Sequence, residues 1–177
     1  MTGIGNIGAV KFGTDIAGKI RKLLKKMDSL NARIDIDEDK RKNKERLLYE
    51  KITNMVDEMH WKIINYVTEN YGTVLIGKLS TKDISSKKKS NISKMTKRIG
   101  LIMRHYDFRM RLKYKCSLKG VKFAEVDERY TSKMCSKCGN YKHDLGDAKK
   151  YKCNECGCKI DRDNGGAICI AIKRIRE

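Results

Sequence analysis

Two stretches near the start of the chain carry apolar residues at helical spacing. In the first, which begins at Ile16, the apolar positions fall on one face and basic residues on the opposite face. An acidic segment, Asp35–Asp39, separates it from a second stretch that runs from about Lys40 to Asn70. The apolar residues are Ile20, Leu23, Leu24, Met27, Leu30 and Ile34, then Leu48, Ile52, Met55, Val56, Met59, Ile63 and Val67. The pattern predicts two helices, over about residues 16–70, that pack as an antiparallel hairpin.

Two short β-branched runs follow the helical region. Residues 73–76, Thr-Val-Leu-Ile, favour a buried strand, and residues 121–126 form a second strand candidate after Gly120. The glycine-rich residues 1–15 show no period, so we expect a loop or a damaged strand edge there. Strands that alternate with long helices indicate the α/β (α+β) class.

Polar and amphipathic segments fill the rest of the chain. Residues 78–93 are lysine-rich, which is typical of a basic loop, and a third helix is predicted over about residues 94–115. A last helix is predicted over residues 164–175. Its apolar face would comprise Ile168, Ile172 and Ile175. Trp61, on the long second helix, is expected to lie in the core.

The segment before the last helix contains two C-x-x-C pairs, each followed by glycine. The pairs are Cys135 with Cys138 and Cys153 with Cys156, and 14 residues separate them. Two thiolates spaced by two residues can bind one face of a metal ion, and the glycine allows a tight turn beneath it. This spacing predicts a four-cysteine zinc ribbon in which all four thiolates bind a structural Zn²⁺.

Other roles for the cysteines fit the chain less well. The sequence begins with no apolar signal segment and has 7 cysteines, an odd number. Both features favour an intracellular compartment, cytoplasm or nucleus, over secretion and disulfides. A thioredoxin-like redox motif would need a single C-x-x-C in a βαβ context. Cys158 is close enough to compete as a ligand but breaks the spacing, and Cys116 and Cys169 are expected to be bystanders.

The charge balance indicates a polyanionic partner. Lysine and arginine number 41 against 22 aspartates and glutamates, a formal net charge of +19 in 177 residues. Nucleic acid is the partner that such an excess favours most. An anionic membrane is the alternative, but no stretch approaches the roughly 20 apolar residues of a spanning helix, so we expect no membrane partner.

The residues around the cysteines resemble a known family. Residues 130–139 read Tyr-Thr-Ser-Lys-Met-Cys-Ser-Lys-Cys-Gly, and Asp161-Arg162-Asp163 with Gly166-Ala167 follows the second pair. This combination resembles the C-terminal signature of the TnpB proteins. These are transposon-encoded RNA-guided nucleases related to Fanzor proteins and to compact type V CRISPR nucleases. The resemblance covers most of this chain but only about the C-terminal half of a full family member.

The resemblance implies a partial RuvC-like domain, of RNase H fold, that contains the helical hairpin and the inserted zinc ribbon. Its chemistry would be two-metal hydrolysis of a phosphodiester, in which three carboxylates hold two Mg²⁺ ions. The third carboxylate lies in the Asp-Arg-Asp string, where Asp163 is the expected ligand and Asp161 the alternative. An aspartate at this position can also simply cap the last helix.

The second carboxylate departs from the commonest family pattern. Many members carry a glutamate directly after the middle strand, where this chain has Gly77. Fanzor-like and viral relatives use a glutamate just before the Tyr-Thr-Ser string instead, and Glu128 matches that relocated position. Glu125, on the strand itself, is the alternative, and a glutamate at a strand end can also be an ordinary surface residue.

The first carboxylate, which the family carries on a Gly-x-Asp-x-Gly strand, has no clear counterpart. Residues 13–18, Gly-Thr-Asp-Ile-Ala-Gly, are similar only superficially, since no apolar strand precedes Asp15 and a helix begins at once. The asparagine that the family usually carries two residues after the Asp-Arg-Asp string is replaced by Gly165. Both departures count against catalysis.

Two functional hypotheses follow. The first is a TnpB-like, transposase-associated DNA-binding remnant of an RNA-guided endonuclease, with structural Zn²⁺, with catalytic Mg²⁺ if it is active, and with a guide RNA as a further partner. It is expected not to cleave by itself, because a carboxylate is missing. The second is a zinc-ribbon protein that binds nucleic acid without catalysis.

The predicted organisation has three parts. Residues 1–132 form the partial RuvC-like region, with the basic loop and helix within residues 78–117. Residues 133–160 form the zinc ribbon. Residues 161–177 carry the last acidic motif and the C-terminal helix.

Overall fold

The computed structural model of the chain describes residues 2–5, 8–78, 93–142 and 149–176. Contacts divide the chain into two compact units. The helical unit comprises Gly13–Tyr66 and Ser80–Leu112, and the sheet-and-ribbon unit comprises Met1–Phe12, Val67–Leu79 and Lys113–Glu177. Most of the lysine-rich loop predicted over residues 78–93 lies outside the described residues.

The helical unit is built from amphipathic helices around one apolar core. Helix α1 spans Ile16–Asn31, α2 spans Glu38–Asn70 and α3 spans Lys94–Ile102, while α4, His105–Lys119, begins in this unit. The sequence pattern accounts for the core, because residues three or four apart share one face of a helix. The buried members are Ile20, Leu24, Met27, Ile52, Val56 and Ile99, each at most 7% exposed.

Helices α3 and α4 replace the single helix predicted over residues 94–115, so that prediction is wrong. The break lies at Met103 and Arg104, where Arg104 has a left-handed backbone with a φ of 43°. Neither glycine nor proline marks this position, so no local signal in the sequence predicts it.

Three apolar assignments from the sequence are also wrong. Ile34 is 99% exposed, because α1 ends at Asn31 and its apolar face does not extend further. Ile175 is 84% exposed near the end of the C-terminal helix. Trp61 is 40% exposed rather than a core residue, and the guanidinium of Arg111 lies over its ring.

The described strands of the second unit form three separate two-stranded sheets. Strands β1 (Thr2–Gly5) and β2 (Gly8–Lys11) are antiparallel, a hairpin where the sequence predicted a loop or strand edge. Strands β3 (Thr73–Gly77) and β4 (Lys122–Val126) are parallel. Parallel strands need a long crossover connection, and here the connecting chain contains α3 and α4.

The last strands and helix follow the cysteine pairs. Strands β5 (Lys150–Lys152) and β6 (Lys159–Asp161) are antiparallel, and α5 (Arg162–Arg176) follows β6 without a break. Helix α5 packs against β1, β3 and β4, and its Cys169 is fully buried. The mixture of helices and strands confirms the predicted fold class. No helix among the described residues is both long and apolar enough to cross a membrane.

Candidate metal centre and acidic site

The four cysteines of the two C-x-x-C pairs lie together in the sheet-and-ribbon unit. Their Sγ atoms all lie within 4.8 Å of one another. Cys135 Sγ is 3.6 Å from Cys156 Sγ, and Cys138 Sγ is 3.6 Å from Cys153 Sγ. In a tetrahedral site with zinc–sulfur bonds of about 2.3 Å, neighbouring sulfurs are about 3.8 Å apart. The spacing of the thiols therefore fits one tetrahedral zinc ion.

The backbone folds each cysteine pair into a tight turn. Gly139 N donates to Cys135 O at 2.9 Å, and in the second pair Cys153 N donates to Cys158 O at 2.9 Å. Gly139 and Gly157 have left-handed backbones, with φ of 77° and 68°. Glycine adopts this conformation without a steric penalty, which explains why it follows each pair.

The charge states of the thiols also favour a cation. Burial raises the pKa of the Cys135 thiol, but the backbone N–H groups of Cys138 and Lys137, together with the thiols of Cys138 and Cys156, outweigh it and lower this pKa to about 6. The Asn140 N–H lowers the pKa of Cys138, but desolvation and the neighbouring cysteines outweigh it and raise this pKa to about 12. Since like charges this close oppose one another, a divalent cation is needed to hold all four groups as thiolates.

Few apolar side chains hold this segment together. Cys135, Tyr151 and Cys153 are buried, and Cys156, Cys158 and Ile160 are partly buried beside them. Tyr151 Oη lies 3.4 Å from both Lys133 O and Asn140 O, either of which can accept a hydrogen bond from the Tyr151 hydroxyl. A core this small rarely folds a segment without a further constraint such as a bound metal.

The second cysteine pair leads directly into the Asp-Arg-Asp string. Asp161 ends β6, and its Oδ1 accepts from the backbone N–H groups of Asp163 at 3.1 Å and Asn164 at 3.4 Å. Asp161 therefore caps the first turn of α5, the role that the sequence left open for either aspartate. Asp163 lies exposed in that turn. The geometry thus separates a capping aspartate from one whose carboxylate faces solvent.

Glu128 lies in the turn that follows β4. Its carbonyl oxygen accepts from the Thr131 N–H at 3.1 Å and from the Thr131 hydroxyl at 2.9 Å, which fixes the backbone of the turn. A Cβ atom built at Gly77, the last residue of the neighbouring strand β3, would lie 1.7 Å from Glu128 Oε1. Glu128 therefore occupies the space that a side chain at residue 77 would take. Burial, followed by the charge of Asp127, raises the pKa of the Glu128 carboxyl.

The other acidic candidates have different surroundings. Glu125 lies within β4, in register with Ile76 of β3, and is partly buried. Asp15 directly precedes α1, has a left-handed φ of 67°, and belongs to the helical unit rather than to the unit of Glu128 and Asp163. Within the described residues, only the four cysteines form a group of three or more ligand side chains close enough to share an ion.

Two features of the acidic region were not expected from the sequence. Lys173 Nζ donates to Asp127 O at 3.0 Å, which joins α5 to the turn that carries Glu128. The Oδ1 atom of Asn164, next to Asp163, is buried and has no hydrogen-bond partner among the described residues. The lysine contact is tertiary and leaves no sequence signal, whereas the position of Asn164 beside the Asp-Arg-Asp string could have drawn attention to it.

Comparisons with known proteins agree with this architecture. The model of the Cas12f1-like TNB domain family matches residues 105–170. A protein of Paramecium bursaria Chlorella virus 1, named as a transposase, is 35% identical over 175 residues, which is 95% of this chain and 39% of that protein. A TnpB-like protein of Acanthamoeba polyphaga mimivirus is 33% identical over 153 residues, which is 84% of this chain and 28% of that protein.

A solved structure supports the fold. The cryo-EM structure of a Cas12f1–sgRNA–target DNA complex matches with a TM-score of 0.61 and 20% identity, over 90% of this chain and 42% of that one. The described fold is thus the Cas12f1 type of mixed helices and strands, with clustered cysteines before the last helix. The chain belongs to the TnpB-like family, which confirms the resemblance carried by residues 130–139 and 161–163.

The chain spans between about a quarter and two fifths of the length of these two viral relatives, 28% and 39%. The activities, substrates and partners of the longer proteins are therefore hypotheses for this chain.

Proposed function

We propose that this chain is a zinc-binding, DNA-binding part of a TnpB-like nuclease that does not cleave by itself. The observation that carries the proposal is a four-cysteine cluster flanked in sequence by two candidate carboxylates, Glu128 and Asp163. The net charge of +19 supports nucleic acid as the partner.

Zinc is the ion proposed for the cluster, with Cys135, Cys138, Cys153 and Cys156 as its ligands. Thiolates select zinc over hard cations such as Mg²⁺, and four of them leave no open coordination position. The ion would stabilise the ribbon proposed over residues 133–160 and would not activate water. Because β6 continues directly into α5, folding of the ribbon would also hold Asp163 in position.

Glu128 and Asp163 are the residues proposed to hold Mg²⁺, in preference to Glu125 and Asp161. Bound Mg²⁺ would stabilise charge on phosphodiester oxygens and acidify a water molecule. The engagement of Asp161 as a helix cap favours Asp163, and the close approach of Glu128 to Gly77 favours Glu128.

Two carboxylates are fewer than two-metal hydrolysis uses. With the third absent from the candidate set, a second Mg²⁺ would be held weakly, and cleavage by this chain would fail for that reason. DNA remains the proposed partner, with a guide RNA as a second one. The Cas12f1 structure above, a complex with a guide RNA and target DNA, supports this assignment.

The test is metal analysis followed by cleavage and binding assays on the purified chain. We expect one zinc per chain, salt-sensitive binding of DNA, and no cleavage of labelled DNA in the presence of Mg²⁺. Robust cleavage that Asp163→Ala abolishes, and that the exposed control Glu69→Ala retains, would contradict the proposed lack of activity. A chain that binds no zinc would contradict the ribbon.

A non-catalytic zinc-ribbon protein that binds nucleic acid is the second candidate. It is favoured because, within the described residues, no group of three acidic side chains gathers around one point. Mn²⁺ titration monitored by electron paramagnetic resonance separates the two candidates. A nuclease remnant binds Mn²⁺ in a way that Glu128→Gln and Asp163→Asn weaken, whereas the second candidate shows no such site.

A further inference from the structure

The helical unit carries a partly buried cluster of charged groups that the proposed metal sites do not use. Asp57 Oδ1 accepts a hydrogen bond from Arg104 Nη2 at 2.5 Å and another from Arg111 Nη1. The three side chains are only 28–29% exposed. Burial raises the pKa of the Asp57 carboxyl, but the two arginines outweigh it and lower this pKa. One carboxylate therefore holds two guanidinium groups through one N–H each. Arg104 Nη1 also lies 3.9 Å from Asp107 Oδ2, so the two arginines and two aspartates carry no formal net charge.

The backbone around Arg104 is fixed at a cost. Arg104 lies between α3 and α4 with a φ of 43°, a left-handed conformation that is sterically unfavourable for a residue other than glycine. The preceding residue is anchored, because His60 Nε2 lies 3.0 Å from Met103 O, within hydrogen-bond distance, while the His60 ring contacts that of Phe108. A guanidinium is thus held at a position where glycine would relieve the strain.

An aromatic ring adjoins the same cluster. The Cζ atom of Arg111 lies 5.7 Å from the centroid of the Trp61 ring, within the range of a cation–π contact. Trp61 is 40% exposed, so part of its indole surface faces solvent. Proteins that bind single-stranded nucleic acid use exposed aromatic rings beside basic side chains, because bases stack on the rings and guanidinium groups bind phosphates.

We propose that Trp61, Arg104 and Arg111 form a binding site for an unpaired nucleotide, whose base stacks on Trp61 and whose phosphate accepts hydrogen bonds from the two arginines. The hydrogen bond to Asp57 engages one N–H of each guanidinium, and each guanidinium has five N–H donors. Asp57 fixes both groups beforehand, so less side-chain entropy is lost when a phosphate binds. The site deepens the proposed function, because it rests on nucleic acid being the partner, but it does not depend on either metal.

Trp61 is the one tryptophan in the sequence, so its fluorescence reports on this site directly. The zinc-loaded chain would be titrated with a 5′-labelled single-stranded oligonucleotide, and both label anisotropy and Trp61 emission would be followed. Parallel titrations would use the matching duplex and heparin, a polyanion without bases. We expect the single strand to quench Trp61 at saturation, and heparin and duplex to leave its emission nearly unchanged.

Arg111→Gln and Arg46→Gln form a matched pair of variants. Both remove one positive charge, but Arg46 is an exposed residue of α2 paired with Glu50. Arg111→Gln should weaken single-strand binding roughly 5- to 100-fold and Arg46→Gln about 2-fold or less, since a fixed phosphate contact contributes more than a diffuse charge. Trp61→Leu, followed by anisotropy and compared with the exposed Tyr49→Leu, tests stacking without removing a charged group, and should weaken binding by a similar 5- to 100-fold.

Three results would overturn the inference. They are Trp61 emission unchanged by a saturating single strand, equal quenching by heparin or duplex, and equal losses of affinity in Trp61→Leu and Tyr49→Leu. In each case binding itself persists, so the proposed function stands while this site fails. A complete lack of nucleic-acid binding by the parent chain would instead contradict both. If Arg111→Gln loses helical circular dichroism, the Trp61→Leu comparison decides.

Discussion

The helical core and the cysteine-rich segment are stabilised in different ways. In the helical unit, apolar side chains from α1, α2 and α3 meet in one cluster, where residues such as Leu24 and Ile52 are 1% exposed. Around the thiols, the buried residues of the cluster are two cysteines and Tyr151. Each fully buried aliphatic side chain contributes about 1.5–3 kcal/mol to stability, so burial of apolar side chains can stabilise the helical core without a bound ion. The cysteine-rich segment has too small a core for this, and we expect its fold to depend on a bound ion.

This difference indicates which part of the chain is expected to depend on a bound metal ion for its fold. Binding of a structural zinc ion is itself folding free energy, about 10–16 kcal/mol in small zinc-finger peptides. Because β6 leads into α5 and Asp163 lies in the first turn of α5, a loss of metal would reach the acidic site. The helical unit shares none of these ligands and should respond to other changes.

Zinc removal should have the largest effect and should distinguish the cysteine-rich segment from the helical core most clearly. Chelation, or Cys135→Ser, is expected to unfold the segment around β5 and β6 because three thiolates bind zinc much more weakly than four. Amide hydrogen exchange should show lost protection at Tyr151 and Ile160 while α1 and α2 keep theirs. Cys158→Ser is the control, since Cys158 lies outside the group of four. Unchanged protection around β5 and β6 after complete zinc removal would refute the comparison.

A cavity in the helical core should destabilise the helical unit and leave zinc binding unaffected. Leu24→Ala is expected to lower the free energy of unfolding by about 2–5 kcal/mol, because it removes buried methyl groups and leaves a void. The zinc content should not change. Ile34→Ala is the matched control, since Ile34 is 99% exposed and its loss should cost less than about 0.5 kcal/mol. Equal destabilisation by both variants, measured by urea unfolding, would show that the core is assigned wrongly.

Elements with a local pattern could be predicted from the sequence, and contacts between distant residues could not. Helix α1 begins at Ile16 and α2 ends at Asn70 as the apolar spacing predicts, and the four cysteines lie together as their spacing predicts. The break at Arg104 was missed, because it depends on how α3 and α4 pack and not on a glycine or proline. The exposure of Trp61 was missed for the same reason, since an apolar stripe does not say where a core ends.

The candidate acidic site was predicted from the sequence only in part. Glu128 and Asp163 were named from a family resemblance, and their roles remain predictions. The close approach of Glu128 to Gly77 joins the turn after β4 to the end of β3, so neither hydrophobic periodicity nor motif spacing could reveal it.

A side chain at residue 77 should compete with Glu128 for space. A Cβ there would lie 1.7 Å from Glu128 Oε1 and 2.1 Å from its Cγ, so Gly77→Ala should lower the free energy of unfolding by about 1–3 kcal/mol through overpacking. Glu128→Ala in the same chain should relieve most of that cost, which a double-mutant cycle measures. Gly72→Ala is the control, because nothing lies within 4 Å of its Cβ position. Additive losses in the cycle would mean that the two residues do not share this space.

The smallest expected effect is a pH dependence that belongs to the helical unit. Burial, followed by the charges of Arg111 and Arg104, lowers the pKa of His60, although its contact with Met103 O opposes the shift. A folded-state pKa below the unfolded value of about 6.5 means that the unfolded chain binds the proton more tightly. Stability that is present above pH 6.5 is therefore lost as the pH falls towards the lowered folded-state value.

His60→Gln should flatten this slope in the helical unit without changing zinc content. The slope, which is the change in the free energy of unfolding with pH, is at most about 1.4 kcal/mol for each pH unit in which His60 alone titrates. Burial also lowers the pKa of His105, so His105→Gln should flatten the slope further in the double variant. The measurement is the melting temperature of the α1–α2 helical signal between pH 7.5 and 5.5, at fixed zinc. A slope that both substitutions leave intact would assign the acid sensitivity to the thiolates. The stability of the helical core would then depend less than that of the cysteine-rich segment on pH as well as on bound metal.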